Sequence, residues 1–83
     1  MKVLYFAALR ERMGRAEETL ALPDGVATVG ALQAWLQARD QAGAAAFQHG
    51  ATVRAAVNQN FAHAGTPVTD ADEVAFFPPV TGG

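Results

Sequence analysis

Cysteine is missing from the 83 residues, and with it everything that a thiol supplies. Disulfides, a thiol nucleophile and a thiolate metal site are excluded. The absence fits a reducing cytosol, so a cytoplasmic protein is the expectation. Long apolar runs are missing too. Glycine or charge interrupts each one, and no transmembrane span is expected. The opening MKVLYFAALR lacks a following cleavage site, because Glu11 and Arg12 come at once; it reads as a first strand rather than a signal peptide. No charge sign dominates: six Lys and Arg stand against eight Asp and Glu, scattered along the chain. That balance points to neither nucleic acid nor an anionic membrane. Two distant histidines, His49 and His63, without cysteine argue against zinc. No internal repeat or linker is visible.

What is there is a chain 51% apolar, enough for a globular fold and too much for disorder. Its length suits one domain with a thin core. Residues 1–6 are strand formers, alternating Met1, Val3 and Tyr5 on one face with Lys2, Leu4 and Phe6 on the other. Lys2 marks the second face as the outer one, so Leu4 and Phe6 need another explanation. The segment AALRERMG suits a helix ended by Gly14. Residues 16–22 alternate weakly as a second strand, and Pro23-Asp24-Gly25 is a turn.

The clearest helix covers 29–40, with Thr28 as N-cap and Val29, Leu32, Trp35 and Leu36 on one stripe. Trp35 is read as core. Gly43 is expected to break this helix, with a second short helix over AAAFQH stopped by Gly50. A third strand runs from Thr52 to Asn58, with Val53, Ala55 and Val57 facing one way. NQN is a turn, 66–68 a short extended piece, and 73-EVAFF-77 the last strand. There Val74 and Phe76 share one face, Ala75 and Phe77 the other. Two strands, a crossing helix and returning strands make one mixed sheet with the helix on one face. The expected fold is an α+β, ubiquitin-like β-grasp over 1–77, followed by an extended tail over 78–83.

The tail carries the chemistry. Pro78 and Pro79 remove two backbone donors and hold an extended stem. Val80, Thr81, Gly82 and Gly83 follow. Six extended residues reach roughly 20 Å. Gly-Gly has no side chain, so it suits threading into a narrow channel of another protein and leaves a terminal carboxylate open. That carboxylate, with a reference pKa of about 3.3–3.7, is ionised at neutral pH and unreactive until activated, for example by ATP. The reacting atom is then the carboxyl carbon of Gly83. Thr81 reads as a spacer, since no base lies in sequence reach. A frayed, inert terminus is the bland alternative.

The segment 72-DEVAFFPPVTGG-83 resembles the ending of the small subunit of molybdopterin synthase, a ubiquitin-like sulfur-carrier family. KVLYFAALRERMG resembles that family's opening strand and helix, and AAVNQ its third strand. The resemblance implies a cycle. An adenylating enzyme similar to the ubiquitin activators uses ATP to couple Gly83 transiently to AMP. A sulfur donor converts it to a thiocarboxylate. The tail, Pro78 to Gly82, then carries Gly83 into the large synthase subunit, where sulfur passes to cyclic pyranopterin monophosphate. The chain itself binds no cofactor or metal and is a sulfur donor; catalytic side chains belong to the large subunit. The resemblance also implies that Phe6, Phe61 and Phe77 match apolar residues that contact the large subunit.

From alternation alone, Phe6 and Phe77 lie off the core face, while Phe61, after a polar turn, suits either a partner site or a thin core. Ala71 stands where the family often has Gly and would be strained if that turn needs φ > 0. Asp70, Asp72 and Glu73 lack a calcium-loop spacing and read as a solvated turn. Arg10, Arg12 and Arg15 read as a solvated helix face or a contact for a partner's acids. His49 is placed to help a helix C-terminus. The competing functions are a sibling carrier for thiazole or tRNA thiolation, a ubiquitin-like protein modifier, limited in chain branching by the single Lys2, and a β-grasp interaction module with an inert tail.

Overall fold

The computed structural model of the protein describes residues 1–48 and 52–79. The chain runs β1 (Lys2–Tyr5), α1 (Ala8–Met13), β2 (Glu17–Thr19), α2 (Val29–Arg39), α3 (Gln41–Ala46), β3 (Arg54–Val57), β4 (Asn60–Ala62) and β5 (Glu73–Phe77). The strands form one five-stranded sheet in the order β2-β1-β5-β3-β4. β1 and β5 pair in parallel at its centre, Val3 beside Val74 and Tyr5 beside Phe76; the other pairs are antiparallel. This is the mixed sheet of a ubiquitin-like β-grasp.

Period-two alternation decides the core. Val3 and Tyr5 of β1, Ala55 of β3, and Val74 and Phe76 of β5 are all buried on one face. Leu32 and Leu36 of α2 cover them, with Leu9 and Met13 of α1 and Ala46 of α3. Phe47 meets Phe76 edge-on, ring centroids 5.1 Å apart. Each such large apolar side chain contributes roughly 1.5–3 kcal/mol by leaving water. Thr28 caps α2 as expected, its Oγ1 accepting from the Ala31 N–H at 3.2 Å. Trp35 is half-buried against this core, and the Arg39 guanidinium lies 5.4 Å over its ring.

Two expectations need correction. Gly43 does not end the long helix. Asp40, extended at φ −159°, ends α2 and caps α3, accepting from the Gly43 N–H at 2.7 Å. Gly43 is buried inside α3, where a Cβ would overlap the Leu36 carbonyl oxygen. Its role is close helix–helix approach, and α3 begins earlier than AAAFQH suggests. Gly50, the expected stop, lies outside the described residues, as does His49.

The second correction concerns NQN. Only Asn58 and Gln59 form the turn, at φ 50° and 69°, the pair of left-handed residues that a two-residue hairpin demands. Asn60 already opens β4, so Phe61 stands on a strand. The segment 66–68 is the short extended piece expected: it makes a single bridge between Thr28 and Pro67, with Val68 donating to the Ala27 carbonyl at 3.0 Å. Proline's missing donor limits any longer ladder.

Candidate docking face and tail root

The same alternation that fills the core leaves the opposite face of the sheet bare. Leu4 of β1, Ala56 of β3, Phe61 of β4, and Ala75 and Phe77 of β5 point that way. Register aligns Leu4, Ala75, Ala56 and Phe61 in one row across four strands. Phe61 is 87% exposed and Phe6 49% exposed. The Phe61 and Phe77 rings lie 6.1 Å apart, so the β3–β4 hairpin delivers Phe61 to the last strand. Phe61 therefore contributes nothing to the core; of its two readings, the exposed one holds.

Phe6 extends the patch on the other side of β5. Its N–H donates to the Phe76 carbonyl at 3.1 Å, one step beyond the last β1–β5 pair and level with Phe77. Ala7 then turns the chain into α1 at φ 53°, ψ −129°, a conformation that costs a non-glycine residue about 1–3 kcal/mol. All three sequence-predicted aromatics thus stand at one end of one face. β5 runs out of the sheet at that end into Pro78 and Pro79, both half-buried. Val80, Thr81, Gly82 and Gly83 lie outside the described residues.

A groove of about 280 Å³ opens beside the tail root, lined by Arg54, Ala55, Phe61, Ala62 and Phe77. Arg54 was not singled out by sequence reasoning. The available signal was its place on the third strand, where alternation with Ala55 turns it outward.

The polar residues weighed as sites have structural work instead. Asp70 accepts from the Leu22 N–H at 2.6 Å. Asp72 accepts from Thr69 N–H at 2.8 Å and from the Asn58 amide at 2.9 Å; these bonds, the Asn58 one first, hold its carboxyl below the usual range. Among the described residues no group of three metal-ligating side chains gathers. Ala71 is not at positive φ, so the turn before β5 imposes no strain on it. His63 Nδ1 accepts from the Gly65 N–H at 3.0 Å in a tight turn.

Sequence reasoning missed one cluster entirely. Glu18 of β2 receives Arg39 through two bonds, 2.7 and 3.0 Å, and the Tyr5 hydroxyl at 2.7 Å. Arg15 joins at 3.4 Å. The Arg39 bonds, foremost, hold the Glu18 carboxyl below the usual range, while burial pushes the Tyr5 phenol well upward. The cluster ties β1 and β2 to the end of α2, far in sequence, and no local pattern announces it. Arg10 and Arg12 make no ion pair among the described residues. Among those residues no helix is long and apolar enough to cross a membrane.

A β-grasp with an apolar outer face at the root of a Gly-Gly tail defines a ubiquitin-like protein. The ThiS family model matches residues 3–83, and the chain belongs to the ThiS family. It is 45% identical to the molybdopterin synthase sulfur carrier subunit of Escherichia coli K12, over all of this chain and 99% of that one. A solved structure of a putative molybdopterin converting factor, subunit 1, from Pyrococcus furiosus is 32% identical over 95% of each chain, with a TM-score of 0.76. Small archaeal modifier protein 1 from Haloferax volcanii is 28% identical, with a TM-score of 0.74, covering 100% of this chain and 98% of that one.

Proposed function

We propose that this chain is the sulfur-carrier subunit of a molybdopterin synthase, and that it works in the cytoplasm. The observation that carries the reading is the end-to-end 45% identity to the E. coli carrier subunit, with the FFPPVTGG ending in place. The bare aromatic face at the tail root supports a docking role for Phe6, Phe61 and Phe77.

In this reading an adenylating enzyme similar to the ubiquitin activators joins the Gly83 carboxylate to AMP, releasing pyrophosphate from ATP. The adenylate makes the carboxyl carbon electrophilic. A sulfur donor displaces AMP and leaves a thiocarboxylate. The large synthase subunit then takes the domain by its outer face, and the Pro78–Pro79 stem directs Val80 to Gly83 into the active site. Sulfur passes there to cyclic pyranopterin monophosphate. The chain needs no catalytic side chain of its own, because its task is to hold and deliver one reactive group. A protein-modifier role is the second reading, favoured by the likeness to small archaeal modifier protein 1; the higher identity to the carrier subunit ranks it second.

The test is mass spectrometry of the C-terminal peptide after incubation with the adenylating enzyme, ATP and a sulfide source. We expect sulfur in place of oxygen at Gly83, trapped by an alkylating reagent so that oxidation of Met1 or Met13 is not mistaken for it. Unmodified Gly83, with a control carrier converted in parallel, would overturn the proposal.

A further inference from the structure

Among the described residues three side-chain cations have an answering carboxylate: Lys2 meets Glu17, Arg15 meets Glu18, and Arg39 meets Glu18 and Asp40; the N-terminal ammonium meets Asp70. Among the described residues Arg10, Arg12 and Arg54 have none within 4.0 Å. Arg10 and Arg12 ride on α1. Arg54 alone stands within the sheet, directly across from Phe77 in the β3–β5 register, and it lines the groove with Phe61 and Phe77. Ala55 and Ala62, whose side chains lie on the core face, complete that lining.

We propose that Arg54 selects the partner by charge. It pairs with an aspartate or glutamate side chain of the large synthase subunit, while an apolar side chain of that subunit fills the groove between Phe61 and Phe77. The proposal rests on the sulfur-carrier reading.

The argument is one of desolvation. Any surface that covers Phe61 and Phe77 also strips water from the guanidinium beside them. A guanidinium does not lose its proton to escape this. An ion taken from water without a counter-charge is penalised by several kcal/mol, enough to cancel a good aromatic contact. A partner that docks tightly here therefore brings an anion. The planar fork of arginine matches a carboxylate through two parallel bonds. A phosphate is the other chemical match. Six extended residues, however, span roughly 20 Å. In the carrier reading the tail enters the partner's active site extended, so a nucleotide or pterin at Gly83 lies beyond the reach of Arg54, which leaves a side-chain carboxylate on the docking surface itself.

Calorimetric titration of the large subunit with the full-length chain tests this, using the parent, Arg54→Lys, Arg54→Ala and Arg54→Glu. Arg54 is exposed, and far-ultraviolet circular dichroism checks that each variant keeps its fold. We expect affinity to fall roughly tenfold for Arg54→Ala and about a hundredfold for Arg54→Glu. Arg54→Lys should fall between parent and alanine, since it keeps the charge and loses the fork. Raising ionic strength should weaken the parent more than Arg54→Ala. A single acid-to-lysine change on the large subunit should restore binding to Arg54→Glu. Affinities for Arg54→Ala and Arg54→Glu within twofold of the parent would overturn the charge-selection proposal and leave the carrier reading standing. A parent chain that does not bind the large subunit at all would overturn the carrier reading, and this proposal with it.

Discussion

The two faces of one sheet are built from the same strands and do opposite work. On β5, Val74 and Phe76 are fully buried under the helices, while Ala75 and Phe77, alternating with them, face out. On β1, Val3 and Tyr5 are covered and Leu4 and Phe6 are not. Both faces carry apolar residues, though the outer one also holds Lys2, Glu17, Glu73 and Arg54. What separates them is that α1, α2 and α3 all pack on one side, so the other is left for another molecule to cover. A domain this small cannot cover both faces of its sheet. The uncovered one is a liability unless it has a partner, and in the proposed reading its position at the tail root couples docking to delivery.

Neighbouring phenylalanines offer the sharpest way to break that comparison. Phe76→Ala should remove about 3–5 kcal/mol of stability, seen as a large drop in the urea midpoint, because it opens a cavity beside Phe47. Phe77→Ala should change the same midpoint by less than about 1 kcal/mol. It should instead weaken binding to the large subunit by about 2 kcal/mol, measured by calorimetry. Equal losses of stability would erase the distinction between the faces.

Glu18 tests the polar rim of the covered side. Glu18→Gln should remove about 2 kcal/mol at neutral pH by leaving Arg39 half-answered. The folded carboxyl titrates below its unfolded value of about 4.3, so its contribution is fully present above that pH. It is lost as pH falls through the lower folded value. The stability gap between parent and Glu18→Gln, followed by chemical unfolding, should therefore close in acid. A gap that is constant from pH 7 to pH 3 would disconnect Glu18 from the Arg39 pairing. The smallest effect concerns the hairpin that presents Phe61. Gln59→Gly should add about 0.5–1 kcal/mol of stability, read as a slightly higher melting temperature, by relieving a left-handed residue without touching either face.

Much of this was legible in the chain because short-range periodicity carries it. Alternation in MKVLYF and EVAFF assigned both faces before any packing was known, and Thr28 marked the start of α2. The resemblance of the ending pointed to the family that the ThiS match shows. What escaped shares a cause: it depends on residues distant in sequence. Gly43 looks like a helix breaker until Leu36 is seen beside it. β4 is three residues long, and only its pairing with β3 shows that Phe61 belongs to a strand. The Glu18–Arg39 bonds join positions 21 residues apart. Arg54 had a visible orientation, yet its lack of a carboxylate partner is a property of the folded surroundings.

The parallel pairing of β1 with β5 has a mechanical meaning. Any partner that draws on the chain beyond Pro79 loads β5 along its own length. That strand lies between β1 and β3, with hydrogen-bond ladders on both flanks. A tug in that direction shears the two ladders, and their bonds must fail together instead of unzipping one at a time. The arm is anchored in the central strand of the sheet, so a traction at its tip loads the domain as a whole before it unravels any part of it.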